Sequence, residues 1–433
     1  MPAEIEAPLV PRSLEAVQLP TVMIRDILLK TMFRGTLSLV SDLARALCLP
    51  IAVTQELVDL CRAQRLIEAM GLQTAGESRG EMPYQLTEAG KARALDALAQ
   101  SEYYGALPVP MEAYAAQVRR QSIRGNRVTR AALSRAMGDM IVPDALLDRL
   151  GPAVGAGRSI LMYGPPGNGK STIAQAIRRA LGDEIYVPRA VAHNGQVIAV
   201  FDPTVHSPVE ALEESPGALR QSVRFDARYV LCRRPAVTTG GELSLDMLDL
   251  VHNSAARTYQ ASLQMKATGG IFIVDDLGRQ AEPPQALINR WIVPLEENKD
   301  ILTLQSGEKI EVPFDTLVIF STNFHPNALF DQAALRRIFF KIRIGGPSQQ
   351  DLLKIFTLAG KRAGMTLDEP SLLHLLRCKY PAIGNAYANY QPIFLVDQIK
   401  AICDFEGLPY RMTPDLVDRA WANMVIEDED IAR

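Results

Sequence analysis

Nowhere does the 433-residue chain run for the ~20 uninterrupted apolar residues that a membrane-spanning helix needs. A membrane span is therefore not expected. Charge of one sign is equally scarce. The formal net charge is −3, so no global pull toward nucleic acid or acidic lipid arises, although a local basic face is compatible with it. Cysteine is sparse: Cys48, Cys61, Cys232, Cys378 and Cys403 are scattered, odd in number and without a C-x-x-C pair. That pattern argues against a disulfide framework and against a zinc site; buried free thiols in a reducing cytosol are expected instead. Residues 1–11 contain Glu4 and Glu6 and lack a basic stretch leading into an apolar run, so they do not read as a secretory signal. Short-period repeats and low-complexity tracts are also missing. A cytoplasmic protein is expected.

What is present is ordinary for a folded chain. Hydrophobic residues make up 48% and charged residues 22%, and the length suits roughly two to four domains. Residues 23–33, 41–49 and 51–70 read as three short helices, the last with Val53, Leu57, Leu60 and Leu66 near helical spacing. A Gly/Ser/Glu-rich loop (71–82) and a short strand entering Leu86-Thr-Glu-Ala-Gly-Lys91 follow. This order resembles a winged helix-turn-helix and sets residues 1–103 apart. Residues 104–150 read as a proline-punctuated linker and a basic helical stretch over 114–135. From 151 to 346 strand and helix signals alternate, the mark of an α/β sheet with crossover helices. Residues 347–433 are nearly all helical, with helices expected over 349–364, 369–377, 393–405 and 413–424, and read as a small all-α lid.

The most informative segment follows a buried-strand run at 159–163. It reads Gly164-Pro165-Pro166-Gly167-Asn168-Gly169-Lys170-Ser171 and leads through Thr172 into an amphipathic helix. This is G-x-x-x-x-G-K-[ST] in its strand–loop–helix context. Glycines let backbone N–H groups converge on phosphates, and the helix N-terminus adds its positive dipole. Lys170 is expected to reach the β- and γ-phosphates of ATP, and Ser171 to hold Mg²⁺. A hundred residues on, the apolar strand 269–274 ends in Asp275-Asp276. Asp275 suits the Mg²⁺ shell, and Asp276 the orientation of attacking water. A third strand, 316–320, ends in Ser321-Thr322-Asn323, whose terminal amide suits the γ-phosphate or the lytic water. Arg336-Arg337 then closes a short helix before the apolar strand 338–344.

In this order the motifs resemble an AAA+ ATPase over residues 151–424. The resemblance implies a Walker A loop, a Walker B pair, a sensor-1 Asn323, and an arginine finger at Arg336 or Arg337 inserted across a subunit boundary. It also implies a homo-oligomeric ring, a hexamer by preference, and a macromolecular client. A hairpin expected over 300–314, directly before the sensor strand, is similar to that of the pre-sensor-1 hairpin clade, which includes MoxR-like ATPases. Its tip carries Glu308 and Lys309. More closely, the chain resembles bacterial ATPases that pair a winged-helix-like module with this core. The stretch 202–266 exceeds one crossover and suggests an insertion.

Two departures bear on mechanism. The second Walker B acid is usually glutamate, and Asp276 is one methylene shorter, so slow turnover is compatible with the sequence. A sensor-2 arginine is not evident; Ile393 stands where one is expected, with Arg362 and Arg377 as alternatives. His193-Asn194-Gly195 reads as a type I′ turn or as a polar switch at the Walker B acid. Arg279 suits a neighbour's nucleotide or a surface role, and Trp291 suits the core. Three functions follow: a client-remodelling motor, a DNA-binding regulator using Thr54, Gln55, Arg62 and Arg65 on the third helix, or an ATP-loaded scaffold. Glu56 and Asp59 on that helix oppose contact with DNA phosphates.

Overall fold

The computed structural model describes residues 5–70, 81–125, 128–138, 140–209 and 225–425. The N-terminal module is built from α1 (Thr21–Gly35), α2 (Val40–Leu47), α3 (Ile51–Ala63), the antiparallel strands β1 (Ile67–Ala69) and β2 (Tyr84–Leu86), and α4 (Glu88–Gln100). Its helices close on one core that includes Leu28, Leu43, Leu57 and Cys61. The third helix is shorter than its periodicity suggests. It stops at Ala63 because Arg65 turns into the left-handed region (φ 58°), and Ile67 then pairs with Leu86. Part of the expected Gly-rich loop, 71–80, lies outside the described residues.

The stretch between the N-terminal module and the α/β core is packed along its length. Strand β3 (Val109–Pro110) pairs with a later strand, and α5 (Met111–Arg120), α6 (Arg130–Met137) and α7 (Asp144–Gly155) follow. The basic stretch expected as one helix is therefore two. The break between them is fixed by Asp315, whose carboxylate accepts from Ser122 Oγ and from the Ile123 backbone N–H, both at 2.8 Å.

The α/β unit contains two sheets. Strands β4 (Ile160–Tyr163), β9 (Ala236–Thr239), β12 (Ile271–Val274), β15 (Leu317–Thr322) and β16 (Phe340–Arg343) form an all-parallel sheet in the order β16-β4-β15-β12-β9. Its central strands are continuous apolar runs because both faces are covered. Helix α8 (Lys170–Ala180) and α6 and α7 pack on one face; Trp291 packs on the other, edge-on to Phe272 and Phe320. The fold is thus α/β with a P-loop parallel core, as the AAA+ resemblance implies.

The second sheet, β10-β11-β7-β6-β3, is mixed. It comprises β6 (Ala190–His193), β7 (Gln196–Ala199), β10 (Val251–Asn253), β11 (Thr258–Gln260) and β3, with the pair β5 (Glu184–Pro188) and β8 (Tyr229–Arg233) packed into the same core. The stretch 202–266 is therefore only partly an insertion, since β9 within it completes the parallel sheet; residues 210–224 lie outside the described residues. The expected hairpin is present as β13 (Lys299–Thr303) and β14 (Lys309–Pro313). Buried arginines tie these parts together. Arg228 chelates Asp226 while its Nη1 reaches the carbonyls of Val17 and Pro108, linking the N-terminal module to the mixed sheet.

Beyond the sheet, short helices α9 (Leu263–Lys266), α10 (Pro284–Arg290), α11 (Ile292–Glu297), α12 (Pro326–Leu329) and α13 (Gln332–Arg337) fill the connections. The C-terminal lid is α14 (Gln349–Ala363), α15 (Glu369–His374), α16 (Tyr390–Glu406) and α17 (Pro414–Ala422) around its own core. Ser348, Asp368 and Thr413 each accept from a first-turn N–H and start three of these helices. All five cysteines are free, but only Cys61, Cys232 and Cys403 are buried; Cys48 is half-buried and Cys378 exposed. Among the described residues no helix is long and apolar enough to cross a membrane.

Candidate functional site

The loop between β4 and α8 is shaped by glycines with positive φ. Gly164 (φ 143°) lies so close to the backbone that a Cβ would overlap the carbonyl oxygen of Ile344, and at Gly167 (φ 73°) it would meet the Tyr390 ring. Pro165 and Pro166 stiffen the entry, and Gly169 begins α8. Lys170 folds back over this loop. Its Nζ donates to the carbonyls of Gly164 and Pro165 at 2.9 Å and to Asn323 Oδ1 at 2.7 Å. Burial lowers the Lys170 pKa, and the nearby carboxylates of Asp275 and Asp276 oppose that shift.

Three parallel strands bring the other groups to the same edge. Asp275 and Asp276 follow β12, and Asn323 follows β15 between β12 and β4. Asn323 Nδ2 donates to Asp276 Oδ1 at 2.8 Å, so one carboxamide bridges the lysine and the acid. Asp276 holds φ at 51°, an uncommon backbone for a non-glycine residue that Asp tolerates better than most. Its other neighbour, Arg279, has Nε 3.7 Å from Oδ2 with both side chains well exposed, an ion pair worth little in water.

Lys170, Asp275, Asp276 and Asn323 line a cavity of about 1010 Å³, together with Pro166, Gly167, Gly169, Ser171 and Thr172, whereas Gly164, Pro165 and Asn168 do not line it. A second wall was not legible in the sequence as a site. Met137 ends α6, Met140 and Ile141 follow it, Ile355 and Leu358 come from α14, and Ile393 from α16. That wall is largely apolar and suits a flat ring, with Arg362 and Asp397 lining the cavity from the same helices, while the phosphate loop contributes Lys170 and the N-terminus of α8. In the sequence the apolar side chains of this wall read as ordinary positions, apart from Ile393, which stands where a sensor-2 arginine is expected. Of the three sensor-2 candidates, Ile393 and Arg362 line the cavity, and Arg377 does not.

The donors available for a divalent cation are hard oxygens. Ser171 and Asp275 both line the cavity, and among the described residues no group of three or more His, Cys, Asp or Glu is placed to hold a metal alone. One carboxylate and one hydroxyl fit Mg²⁺, which is usually shared with substrate phosphates rather than caged by protein.

The remaining candidates stand apart. Arg336 and Arg337 end α13 and do not line the cavity. Arg337 is half-buried, with Nε 3.0 Å from Glu296 Oε1, an ion pair by distance without hydrogen-bond alignment, and Nη1 donating to the Ala333 carbonyl. Arg336 is exposed. His193 does not line the cavity; its Nε2 lies 3.5 Å from Glu308 Oε1. Asn194 (φ 44°) and Gly195 (φ 80°) make the tight turn of the β6–β7 hairpin. There Asn194 Nδ2 donates to Glu308 Oε1 at 2.6 Å, clasping the tip of the β13–β14 hairpin. Glu308 is thus engaged within the chain, while Lys309 is exposed. On α3, Thr54 is fully buried and bonds back to Pro50, and Glu56 accepts from the Leu14 N–H. Of the four expected contact residues Thr54 is thus withdrawn from any duplex, and Arg62 pairs with Asp59 at 3.3 Å.

A family described as a domain of unknown function (DUF8689) matches residues 348–423, the lid. No curated protein matches the chain. Among solved structures it is similar to NtrX from Brucella abortus, at 13% identity over 66% of this chain and 56% of that one, with a TM-score of 0.41. It is similar also to a RuvB P216G mutant from Thermotoga maritima, at 13% identity over 68% of this chain and 74% of that one, with a TM-score of 0.41. The chain spans little more than half of that NtrX structure. Identities this low carry no residue roles across.

Proposed function

We propose that this chain is a cytoplasmic AAA+ ATPase that binds Mg·ATP, assembles into a homo-oligomeric ring, a hexamer by preference, and uses hydrolysis to remodel a protein client. The observation that carries the reading is the Lys170–Asn323–Asp276 chain of hydrogen bonds at the mouth of a cavity of nucleotide size. Three motifs far apart in sequence meet there, with Asp276 one methylene shorter than the glutamate usual at its place. Gly164, Pro165, Pro166, Gly167, Asn168, Gly169, Lys170, Ser171 and Thr172 form the nucleotide loop. Ser171 and Asp275 hold Mg²⁺, which supplies charge neutralisation at the phosphates when bound. Asp276 and Asn323 orient water. Arg336 is the better finger of the two arginines, because Arg337 is engaged with Glu296 in its own subunit.

The N-terminal module, which we infer to be winged-helix-like, serves protein docking in preference to DNA contact. Its third helix has Thr54, one of the four expected DNA-contacting residues, fully buried. The test is phosphate release by the wild type and by Lys170→Ala, with mass in solution measured with and without a slowly hydrolysed ATP analogue. Nucleotide-dependent assembly with a rate that collapses in the variant supports the reading. ATP binding with no turnover in the assembled state would leave an ATP-loaded scaffold, and a monomer under saturating Mg·ATP would remove the ring.

A further inference from the structure

The turn that carries Asp276 is closed by a single side-chain amide. After β12 the chain runs Asp275-Asp276-Leu277-Gly278-Arg279-Gln280, with φ 51° at Asp276 and 107° at Gly278. Positive φ at a non-glycine residue persists only where the surroundings over-determine it. The neighbouring strands supply part of that restraint. The Asp275 N–H donates to the Thr239 carbonyl at the end of β9 at 2.8 Å, and the Leu277 N–H to the Ser321 carbonyl of β15 at 2.7 Å. Within the turn the Asp276 N–H donates to Asp275 Oδ1 at 3.0 Å, and the Arg279 N–H to the Asp276 carbonyl at 3.1 Å. Gln280 then ties the two ends together. Its Oε1 accepts from the Gly278 N–H at 2.9 Å, and its Nε2 donates to the carbonyls of Gly240 at 3.0 Å and Asp275 at 3.3 Å. One N–H and two carbonyls leave the amide a single orientation, since turning it round would set donor against donor and oxygen against oxygen. The Asp275 carbonyl belongs to the peptide unit entering Asp276, and the Gly278 N–H to the one leaving Leu277. One side chain thus holds the backbone on both sides of the acid. Its outer anchor is fixed as well, because the Gly240 N–H donates to Glu242 Oε1 at 2.8 Å. Gln280 is half-buried and does not line the cavity.

We propose that Gln280 is a positioning residue for hydrolysis, which aims the Asp276 carboxylate at the attacking water while touching neither nucleotide nor metal; this rests on the ATPase reading above. Two amides divide the task. Asn323 Nδ2 holds the carboxylate end of Asp276 at 2.8 Å, and Gln280 holds the backbone from which that side chain springs. An aspartate has one torsion fewer than the glutamate usual at this place, so less of a shift in the turn can be taken up by the side chain. A displaced turn therefore carries the carboxylate with it, and a misplacement of about 1 Å is enough to cost about a hundredfold in rate.

The test is turnover per occupied nucleotide site in the full chain, with ATP affinity and Mg²⁺ dependence measured alongside, in the wild type and in Gln280→Met. That substitution keeps the length of the side chain and removes all three contacts. Turnover per site should fall about a hundredfold, while ATP affinity and the Mg²⁺ concentration at half-maximal rate stay within about twofold. A role in folding alone would lower the fraction of chains that bind and leave turnover per bound site unchanged, which overturns the proposal. Equal losses in turnover and affinity overturn it too, as does a raised Mg²⁺ requirement, which would place the effect on Asp275. Gln280→Glu, which keeps the acceptor for Gly278 and loses the donor, carries the same comparison if the methionine variant does not fold. If the assembled wild type binds ATP and releases no phosphate, the hydrolysis reading itself falls, and this proposal with it.

Discussion

The ammonium of Lys170 lies 2.7 Å from Asn323 Oδ1, and the same carboxamide donates from Nδ2 to Asp276 Oδ1 at 2.8 Å. Because one face of the amide accepts and the other donates, Asn323 joins the group that grips phosphate to the group that orients water. Asn323→Ala is expected to lower kcat on the order of a hundredfold while changing ATP affinity only a few-fold, as for removal of a single positioned donor. Lys170→Ala should lose both. Steady-state phosphate release and equilibrium ATP binding separate the two outcomes. Parallel losses in Asn323→Ala would reduce that residue to a brace for the loop.

The two arginines that end α13 should behave differently. Arg336 is exposed, whereas Arg337 lies against Glu296 and the Ala333 carbonyl. Arg336→Ala should leave folding and ATP binding intact and cut turnover by about a thousandfold or more, the usual effect of losing a finger arginine. Arg337→Ala should act mainly on stability, by about 1 kcal/mol, since its pairing is only partly desolvated. Thermal unfolding and turnover measured on both variants check this, and equal turnover losses would refute the assignment.

Much of the site was legible because each motif ends a strand, and parallel strands align their ends. Lys170, Asp275, Asp276 and Asn323 are separated by up to about 150 residues in sequence, yet β4, β15 and β12 are neighbours. The apolar wall of the cavity was not legible. Met140 lies between α6 and α7 and Ile355 on α14, and neither differs locally from a core residue, while Ile393 on α16 reads in the sequence only as the place where an arginine is expected. The mixed sheet was missed for a related reason. Its strands interleave in sequence with those of the parallel sheet, so alternation of strand and helix signals read as one sheet. Partner choice among strands is decided by packing over long separations, and local pattern does not encode it. The hairpin clasp of Asn194 on Glu308 is likewise a contact across 114 residues.

Trp291 was legible as core from its spacing among Leu287, Ile288 and Leu295, and the structure explains its weight. The indole is fully buried and meets Phe272 and Phe320 edge-on at 5.5 Å, on the face of the two strands that carry Asp275 and Asn323. Trp291→Ala should destabilise the α/β core by about 3–5 kcal/mol. Urea unfolding followed by far-ultraviolet circular dichroism measures this directly, and a cost below about 1 kcal/mol would show that the site collapses around the loss.

A titration lies in the N-terminal module. Lys30 is buried, donates from Nζ to the Ser101 carbonyl at 2.9 Å, and has its pKa lowered to about 8 from 10.5 by desolvation, with Asp26 opposing the shift. Below about pH 8 the ammonium is charged in the folded and unfolded chains alike, and the cost of burying it is fully present. Between that value and 10.5 the unfolded chain binds more protons than the folded one, so this residue's contribution to stability rises with pH. Lys30→Met removes the charge while keeping most of the stem; Asp26 retains Arg25 and Arg93 as partners. The variant should therefore exceed the wild type in stability at pH 7.5, and its advantage should shrink by a few kcal/mol, about 1.4 per pKa unit, on going to pH 10. Comparing the urea transitions of both proteins at the two pH values isolates this group, because titrations common to both cancel. An advantage that stays constant would mean that Lys30 keeps its proton through that range and that its burial costs little.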